Sequence, residues 1–154
     1  MLEISCLNDD RCNINNLEHE HGLSLYIEND NTKILFDVGQ SSVFKNNATK
    51  LNIDLSKIEY LILSHGHYDH GGGILAFHEV NPKAKIVMQK SALGNYWHKS
   101  ENVEKYIGLN PETNGKLYYD TVKYHKDVHT GTNLADKFAE FCDKMIYREV
   151  LAAL

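Results

Sequence analysis

Four potential metal ligands fall within six residues near the middle of the 154-residue chain. This ligand cluster consists of His65, His67, Asp69 and His70. Imidazole nitrogens and carboxylate oxygens are ligands that Zn²⁺, Fe and Mn take in proteins. In an extended or tightly looped segment, His65 and His67 project to the same side and close on one ion, and Asp69 and His70 turn towards a second. The spacing therefore predicts a metal site rather than a histidine-rich surface loop.

A buried strand and a glycine-rich turn are predicted to position this cluster. Residues 59–64, EYLILS, contain an uninterrupted apolar stretch that is typical of a strand covered on both faces. Gly71, Gly72 and Gly73 follow the cluster, and we expect them to let the backbone bend sharply beneath the ions. Residues 74–80 indicate one or two helical turns and residues 83–88 another strand. This order of elements predicts a mixed α/β fold.

The remaining pattern predicts further strands and helices. Alternating apolar residues predict strands over 2–7, 23–28 and 33–37, the last two joined as a hairpin by an Asn/Asp-rich turn. Helical spacing predicts a helix over 42–51, an irregular helix over 91–106 and a last helix over 134–145. Inward packing of Tyr96, Trp97 and His98 on the second helix is favoured over their lining a pocket. No linker is evident, so a single domain over 1–154 is expected.

Charge and composition exclude several classes of partner. The formal charge of -5, from 16 Lys and Arg against 21 Asp and Glu, comes without the basic stripe that binds phosphate backbones. Nucleic acid is therefore not expected as a partner. No apolar run approaches the roughly 18 residues of a membrane span, and the first residues lack the pattern of a secretion signal. We expect a cytoplasmic protein without a membrane partner.

The ligand cluster has the form HxHxDH and resembles the signature of the metallo-β-lactamase superfamily. The similarity runs from about residue 20 to residue 108, through the segments EHGLSLYIE, KILFDVGQS, IDLSKIEYLILSHGHYDHGGG and YIGL. These segments resemble the branch around dihydropterin-aminobenzene-phosphate synthase and related hydrolases of the same fold. The resemblance implies a four-layer αββα sandwich with a reduced second half and a metal site at one edge of its two sheets.

The resemblance also implies a role for each residue of the cluster. His65 and His67 would bind a first metal ion, and Asp69 and His70 a second. Asp37, at the end of the strand before the first helix, matches an acidic residue that orients the ligands from beneath the site. These roles are expectations that depend on the family resemblance.

The ligands that complete such a site are harder to identify in this chain. His129 precedes Thr-Gly and a predicted helix, as the family's third histidine does, although an exposed loop histidine is the alternative. His125 and Asp127 alternate with His129 and are further candidates. The family's bridging acid and last histidine are not recognisable. Either atypical residues complete the site, or another chain completes it, or the site is incomplete. An uncovered sheet edge would also favour a homo-oligomer.

Other residues near the cluster are open to two interpretations. His19, Glu20 and His21 lie near the mouth of the site by resemblance, or are simply exposed polar residues before a strand. Tyr68 would touch a small-molecule substrate or pack on the loop. Ser64 is not a candidate nucleophile, because no base and orienting acid are visible around it.

The expected activity is that of a metal-dependent hydrolase. A metal-activated water would attack a small ester, lactone, thioester or phosphoester, and Asp69 would be the catalytic residue that both ligates and receives a proton. One or two Zn²⁺ ions are expected, with Fe or Mn as alternatives. The competing hypotheses are a shortened, non-catalytic relative that binds metal for structure or sensing, and a pterin-pathway synthase or iron redox protein of the same fold.

Overall fold

A computed structural model describes residues 1–30 and 32–110 of the chain. Five strands form one mixed sheet in the order β1-β2-β3-β4-β5. Their bounds are β1 Glu3–Asn8, β2 Ser24–Asn29, β3 Thr32–Phe36, β4 Tyr60–Ile62 and β5 Lys85–Val87. The first three strands pair antiparallel, and β4 and β5 continue the sheet in parallel with β3. The mixed α/β class predicted from the sequence is confirmed.

Three helices and a separate hairpin accompany this sheet. The helices are α1 Val43–Lys50, α2 Tyr68–Gly71 and α3 Ile74–Val80, and short 3-10 turns occupy Leu55–Lys57 and Lys90–Leu93. Strands β6 Trp97–Ser100 and β7 Val103–Tyr106 pair antiparallel as a two-stranded sheet. In the described part of the chain, no helix is long and apolar enough to cross a membrane.

Parallel pairing of β3 and β4 positions the residues that follow each strand. Phe36 lies opposite Ile62, and the amide of Asp37 then donates to the Ile62 carbonyl at 2.9 Å. Carboxyl ends of neighbouring parallel strands share one edge of a sheet, which is where ligand sites of such sheets form. The sheet therefore brings Asp37 next to the segment that begins at Ser64.

The core lies on both faces of the central strands. Leu61 and Ile62 point to opposite faces of β4, and both are buried, as the apolar stretch predicted. Helix α1 packs beside β1, and its Phe44 and Ala48 have almost no exposed surface. The largest fully buried apolar side chains are Phe44, Phe77, Leu7, Leu35, Leu61, Ile74, Leu109 and Val38.

Most predicted elements agree with the structure to within one or two residues at each end. The hairpin of 23–28 with 33–37, the helices over 42–51 and 74–80 and the strands of 59–64 and 83–88 are confirmed. Three expectations concern residues beyond 110, which lie outside the described residues: the helix over 134–145, the reduced second half and the extent of the single domain. Those three stay predictions.

The predicted helix over 91–106 is wrong. This segment forms a 3-10 turn followed by the β6–β7 hairpin, and Trp97 is 57% exposed instead of packing inward. Trp97 pairs directly with Tyr106 across the hairpin, and their rings meet edge to face at 5.2 Å. Cross-strand aromatic pairs stabilise antiparallel strands. The helical pattern of this segment is irregular, so it does not outweigh that preference for strands.

Candidate metal centre

The three imidazole rings of the ligand cluster meet beyond the carboxyl end of β4. The ring centroids of His65 and His67 are 4.5 Å apart, and those of His65 and His70 are 4.2 Å apart. His67 is extended and immediately precedes α2, whose single turn brings His70 back towards His65. A short helix, rather than the predicted loop alone, therefore gathers the three rings.

A buried carboxylate lies directly beneath the rings. Asp37 has no exposed surface and adopts the left-handed conformation with φ of 55°, which Asp tolerates better than most residues. Its Oδ1 accepts the Ser64 amide at 2.8 Å, and its Oδ2 accepts the Ser64 hydroxyl at 2.7 Å. The same Oδ2 lies 2.7 Å from Nδ1 of His70. Asp37 thus binds both the start of the cluster segment and its last histidine.

This network determines which ring nitrogens remain for a metal. An ionised carboxylate only accepts hydrogen bonds, so Nδ1 of His70 must carry the proton that faces Asp37. The Ser64 hydroxyl donates its one proton to Asp37 and therefore accepts from Nδ1 of His65, which lies 2.9 Å away. In the neutral form of either ring, Nε2 is then the unprotonated nitrogen. Imidazoles that bind metals are oriented by hydrogen bonds of this kind.

The pKa values of these two rings are shifted in opposite directions. The hydrogen bond to Asp37 raises the pKa of His70, and the carboxylates of Asp37 and Asp69 add to the effect. Burial lowers the pKa of His65, and the neighbouring rings of His70 and His67 lower it further. A lowered pKa keeps His65 neutral, which is the form in which imidazole binds a metal.

Asp69 lies between two histidines. Its Oδ2 is 3.5 Å from Nε2 of His70 and 3.4 Å from Nε2 of His21, which comes from the loop before β2. On the other side of that ring, Nδ1 of His21 lies 3.0 Å from Oδ1 of Asp10. The hydrogen bond from the Gly22 amide lowers the pKa of Asp10, with a smaller contribution from His21. Asp69 therefore contacts both a part-buried and an exposed imidazole.

Glycines let neighbouring segments approach the site closely. The bend expected at Gly71, Gly72 and Gly73 requires no positive φ at Gly72 or Gly73, whose φ angles are −63° and −78°. A Cβ on Gly72 would instead lie 2.4 Å from the Gln40 carbonyl oxygen, and one on Gly73 2.4 Å from that of Val38. The missing side chains allow the end of α2 to pack against the segment that follows Asp37.

Aromatic residues border the cluster on the hairpin side. The rings of Tyr96 and His67 meet edge to face at 5.3 Å, and the Tyr96 hydroxyl donates to the Ser91 carbonyl at 2.5 Å. The Tyr68 amide donates to the Ile107 carbonyl at 3.0 Å, which links α2 to the strand end after β7. Tyr96 thus lies at the site, contrary to the expectation that it packs inward on a helix.

The structure brings all four residues of the ligand cluster together with Asp37. His125, Asp127 and His129 lie outside the described residues, so their roles stay predictions. Within residues 1–30 and 32–110, no three His, Cys, Asp or Glu side chains form a closed group that could already hold an ion. The cluster nevertheless fits a metal chemically, because His65 and His70 each have a hydrogen bond at Nδ1 and keep Nε2 for an ion.

Sequence reasoning assigned no role to Ser64, which links His65 to Asp37. It also left two interpretations open for His21, a place near the mouth of the site or an exposed polar residue before a strand, and did not consider Asp10. The only signals were the position of Ser64 immediately before the cluster and the place of His21 in the EHG segment. Neither signal indicates which distant residue becomes the partner.

Comparison with known proteins agrees with this geometry. The family model described as the metallo-beta-lactamase superfamily matches residues 18–138. An uncharacterised protein of Methanocaldococcus jannaschii is 34% identical over 91 residues, which cover 58% of this chain and 32% of the relative. A UPF0173 metal-dependent hydrolase of Staphylococcus aureus is 28% identical over 114 residues, which cover 73% of this chain and 47% of the relative.

A solved structure resembles the chain over a similar span. Tm1679, described as a metal-dependent hydrolase of the beta-lactamase superfamily, matches with a TM-score of 0.58 and 34% identity. The match covers 73% of this chain and 38% of that one. The chain spans about a third to a half of the length of the proteins it matches.

Proposed function

Since the chain belongs to the metallo-β-lactamase superfamily, we propose that it is a metal-dependent hydrolase with its metal centre at the ligand cluster. One observation carries the proposal. The Asp37 carboxylate, directly and through Ser64, occupies Nδ1 of His70 and of His65 and leaves Nε2 of each ring for a metal. Such an arrangement orients imidazole ligands before the ion arrives.

Each residue of the site has a distinct task in this proposal. His65 and His67 would hold a first ion together with His129, and Asp69 and His70 would hold a second. When bound, a divalent ion would lower the pKa of water and polarise the oxygen that is attacked. Asp69 would accept the proton that the attacking water loses, and Asp37 would keep the rings in the tautomer that binds metal.

The proposed substrates are small esters, lactones, thioesters or phosphoesters. The names of the Staphylococcus aureus relative and of Tm1679 support hydrolysis as the reaction class. Zn²⁺ suits the imidazole and carboxylate donors, and Fe or Mn are the alternatives. We also propose that a second copy of the chain helps to complete the site in a homo-oligomer.

Metal analysis combined with hydrolysis assays tests the proposal. The full chain would be analysed for bound metal and assayed with a nitrophenyl ester, a nitrophenyl phosphodiester, a lactone and a thioester, before and after chelation. We expect one or two ions per chain and hydrolysis of at least one substrate class, lost on chelation and restored by Zn²⁺. His67→Ala should lower metal affinity and turnover on the order of 100-fold or more, since even loss of an orienting partner costs about 10–100-fold.

His98→Ala is a suitable control, because His98 lies exposed on β6 and should leave metal content and turnover unchanged. Absence of bound metal, or hydrolysis that survives complete chelation, would contradict the proposal. Bound metal without hydrolysis of any of the four substrate classes would also contradict it and favour a metal-binding role in structure or sensing.

A further inference from the structure

A second histidine and carboxylate pair faces the cluster from the loop before β2. His21 places Nε2 3.4 Å from Oδ2 of Asp69, and Asp10 lies 3.0 Å from its Nδ1. An imidazole bonded to a carboxylate through one nitrogen presents the other nitrogen outward. His21 therefore faces Asp69 in the same manner as His70 does, with its carboxylate on the far side of the ring.

The distances around Asp69 suit a shared ion. Ligands that bind Zn²⁺ tetrahedrally at about 2.0–2.1 Å are separated from one another by about 3.3–3.4 Å. Oδ2 of Asp69 lies 3.4 Å from Nε2 of His21 and 3.5 Å from Nε2 of His70. Two of the three edges of such a donor triangle thus already have the required length. The third edge, between His21 and His70, would be set by rotation of the His21 side chain, which is 63% exposed.

The loop that carries His21 is held at this place by buried contacts. The Asn8 side chain is 2% exposed, donates to the Gly22 carbonyl at 3.0 Å and accepts the Glu20 amide at 3.0 Å. Gly22 has a φ of 112°, and a Cβ there would lie 1.8 Å from the Asp69 carbonyl oxygen. The backbone on both sides of His21 is therefore hydrogen-bonded to a buried side chain and packs closely against Asp69.

We propose that His21, oriented by Asp10, is a protein ligand of the ion that Asp69 and His70 bind. The inference rests on the proposed metal centre and extends it to a histidine from the N-terminal side of the cluster. An exposed ion pair is the alternative explanation of the contact with Asp69. Such pairs contribute little stability in water, and that role would not change metal affinity.

Zinc titration of the metal-free full chain tests the assignment. Isothermal titration calorimetry would compare the natural chain with His21→Ala, with His21→Gln and with His19→Ala. His19 lies in the same loop, is exposed and makes no side-chain hydrogen bond or ion pair among residues 1–30 and 32–110, which makes it a matched control. We expect both His21 variants to weaken Zn²⁺ binding by on the order of 10–100-fold and His19→Ala to leave it unchanged.

A second measurement does not depend on any variant folding. Imidazole ¹⁵N spectra of the natural chain, recorded with and without Zn²⁺, should show Nε2 of His21 shifting on binding and no change at His19. Unchanged affinity in both His21 variants, or a His21 nitrogen signal that Zn²⁺ does not move, would overturn the inference while leaving the proposed metal centre intact. A natural chain that binds no Zn²⁺ would overturn both.

Discussion

Two histidine and carboxylate pairs flank Asp69, and they differ in burial. The His70–Asp37 pair has an Nδ1 to Oδ2 distance of 2.7 Å, and its carboxylate is fully buried. The His21–Asp10 pair has a distance of 3.0 Å, and both side chains are more than half exposed. Each histidine presents Nε2 to the same oxygen of Asp69. Asp69 thus contacts two histidines that are each hydrogen-bonded to a carboxylate, and that carboxylate is buried in one pair and exposed in the other.

Their surroundings give the two pairs different consequences. Asp37 accepts three hydrogen bonds and has no exposed surface, so its loss takes the buried acceptor away from the part-buried donors of Ser64 and His70. Unsatisfied buried donors are costly, whereas exposed groups regain their hydrogen bonds from solvent. The buried pair therefore contributes to the stability of the fold as well as to the candidate site, whereas we expect the exposed pair to contribute less to stability.

The largest effect is expected from Asp37→Ala. Loss of the three hydrogen bonds to this carboxylate should lower the free energy of unfolding by about 2–4 kcal/mol, because hydrogen bonds to charged groups contribute about 1.5–3 kcal/mol each and do not add fully. Urea denaturation followed by circular dichroism measures the change.

Asp54→Ala is a control with matched chemistry for this variant. Asp54 accepts the amide and hydroxyl of Ser56 much as Asp37 accepts those of Ser64, but it is exposed. If Asp54→Ala lost as much stability as Asp37→Ala, burial of the carboxylate would not be the reason for the large effect expected at Asp37.

A smaller effect is expected from Gly22→Ala. The residue has a φ of 112°, and the new Cβ would meet the Asp69 carbonyl, so the loop with His21 must move. We expect a loss of at least about 1 kcal/mol of unfolding free energy, the usual cost of forcing a non-glycine residue to positive φ. Metal affinity should fall as well, which calorimetry would measure.

Gly94→Ala serves as a comparison for Gly22→Ala. Gly94 has an ordinary φ of −72°, and its nearest neighbour to a new Cβ is the Ser91 carbonyl oxygen at 3.0 Å. It should lose less stability and keep its metal affinity. Unchanged metal affinity in Gly22→Ala would show that the position of the loop with His21 does not influence metal binding.

The smallest change in stability is expected from Asp10→Ala. The carboxylate is exposed but accepts the amide of the buried residue Gly22, so the melting temperature should fall, although less than in the two preceding variants. Zn²⁺ affinity should nevertheless fall by about 10-fold, because His21 loses the group that orients its ring. A large drop in melting temperature, measured by differential scanning fluorimetry, would show that this pair too is part of the core.

Local patterns made much of this molecule predictable. The β2–β3 hairpin follows from alternation around an Asn/Asp-rich turn, and β4 follows from its apolar stretch. The prediction failed at Tyr96 and Trp97, where the aromatic residues of a hairpin gave an irregular pattern that was interpreted as a helix. The pattern of one segment does not reveal that a partner strand begins three residues after its end, and the pairing of these two strands determined the structure.

The amino-acid sequence by itself determined the donor types of the site and the family of the fold. Six consecutive residues keep the ligand cluster together whatever the rest of the chain does, because covalent spacing limits how far its members can separate. Only the tertiary structure decided the partners of those donors. Asp37 reaches His70 through the pairing of β3 with β4, and Asp10 reaches His21 through the packing of a loop, and neither contact has a local signal in the chain.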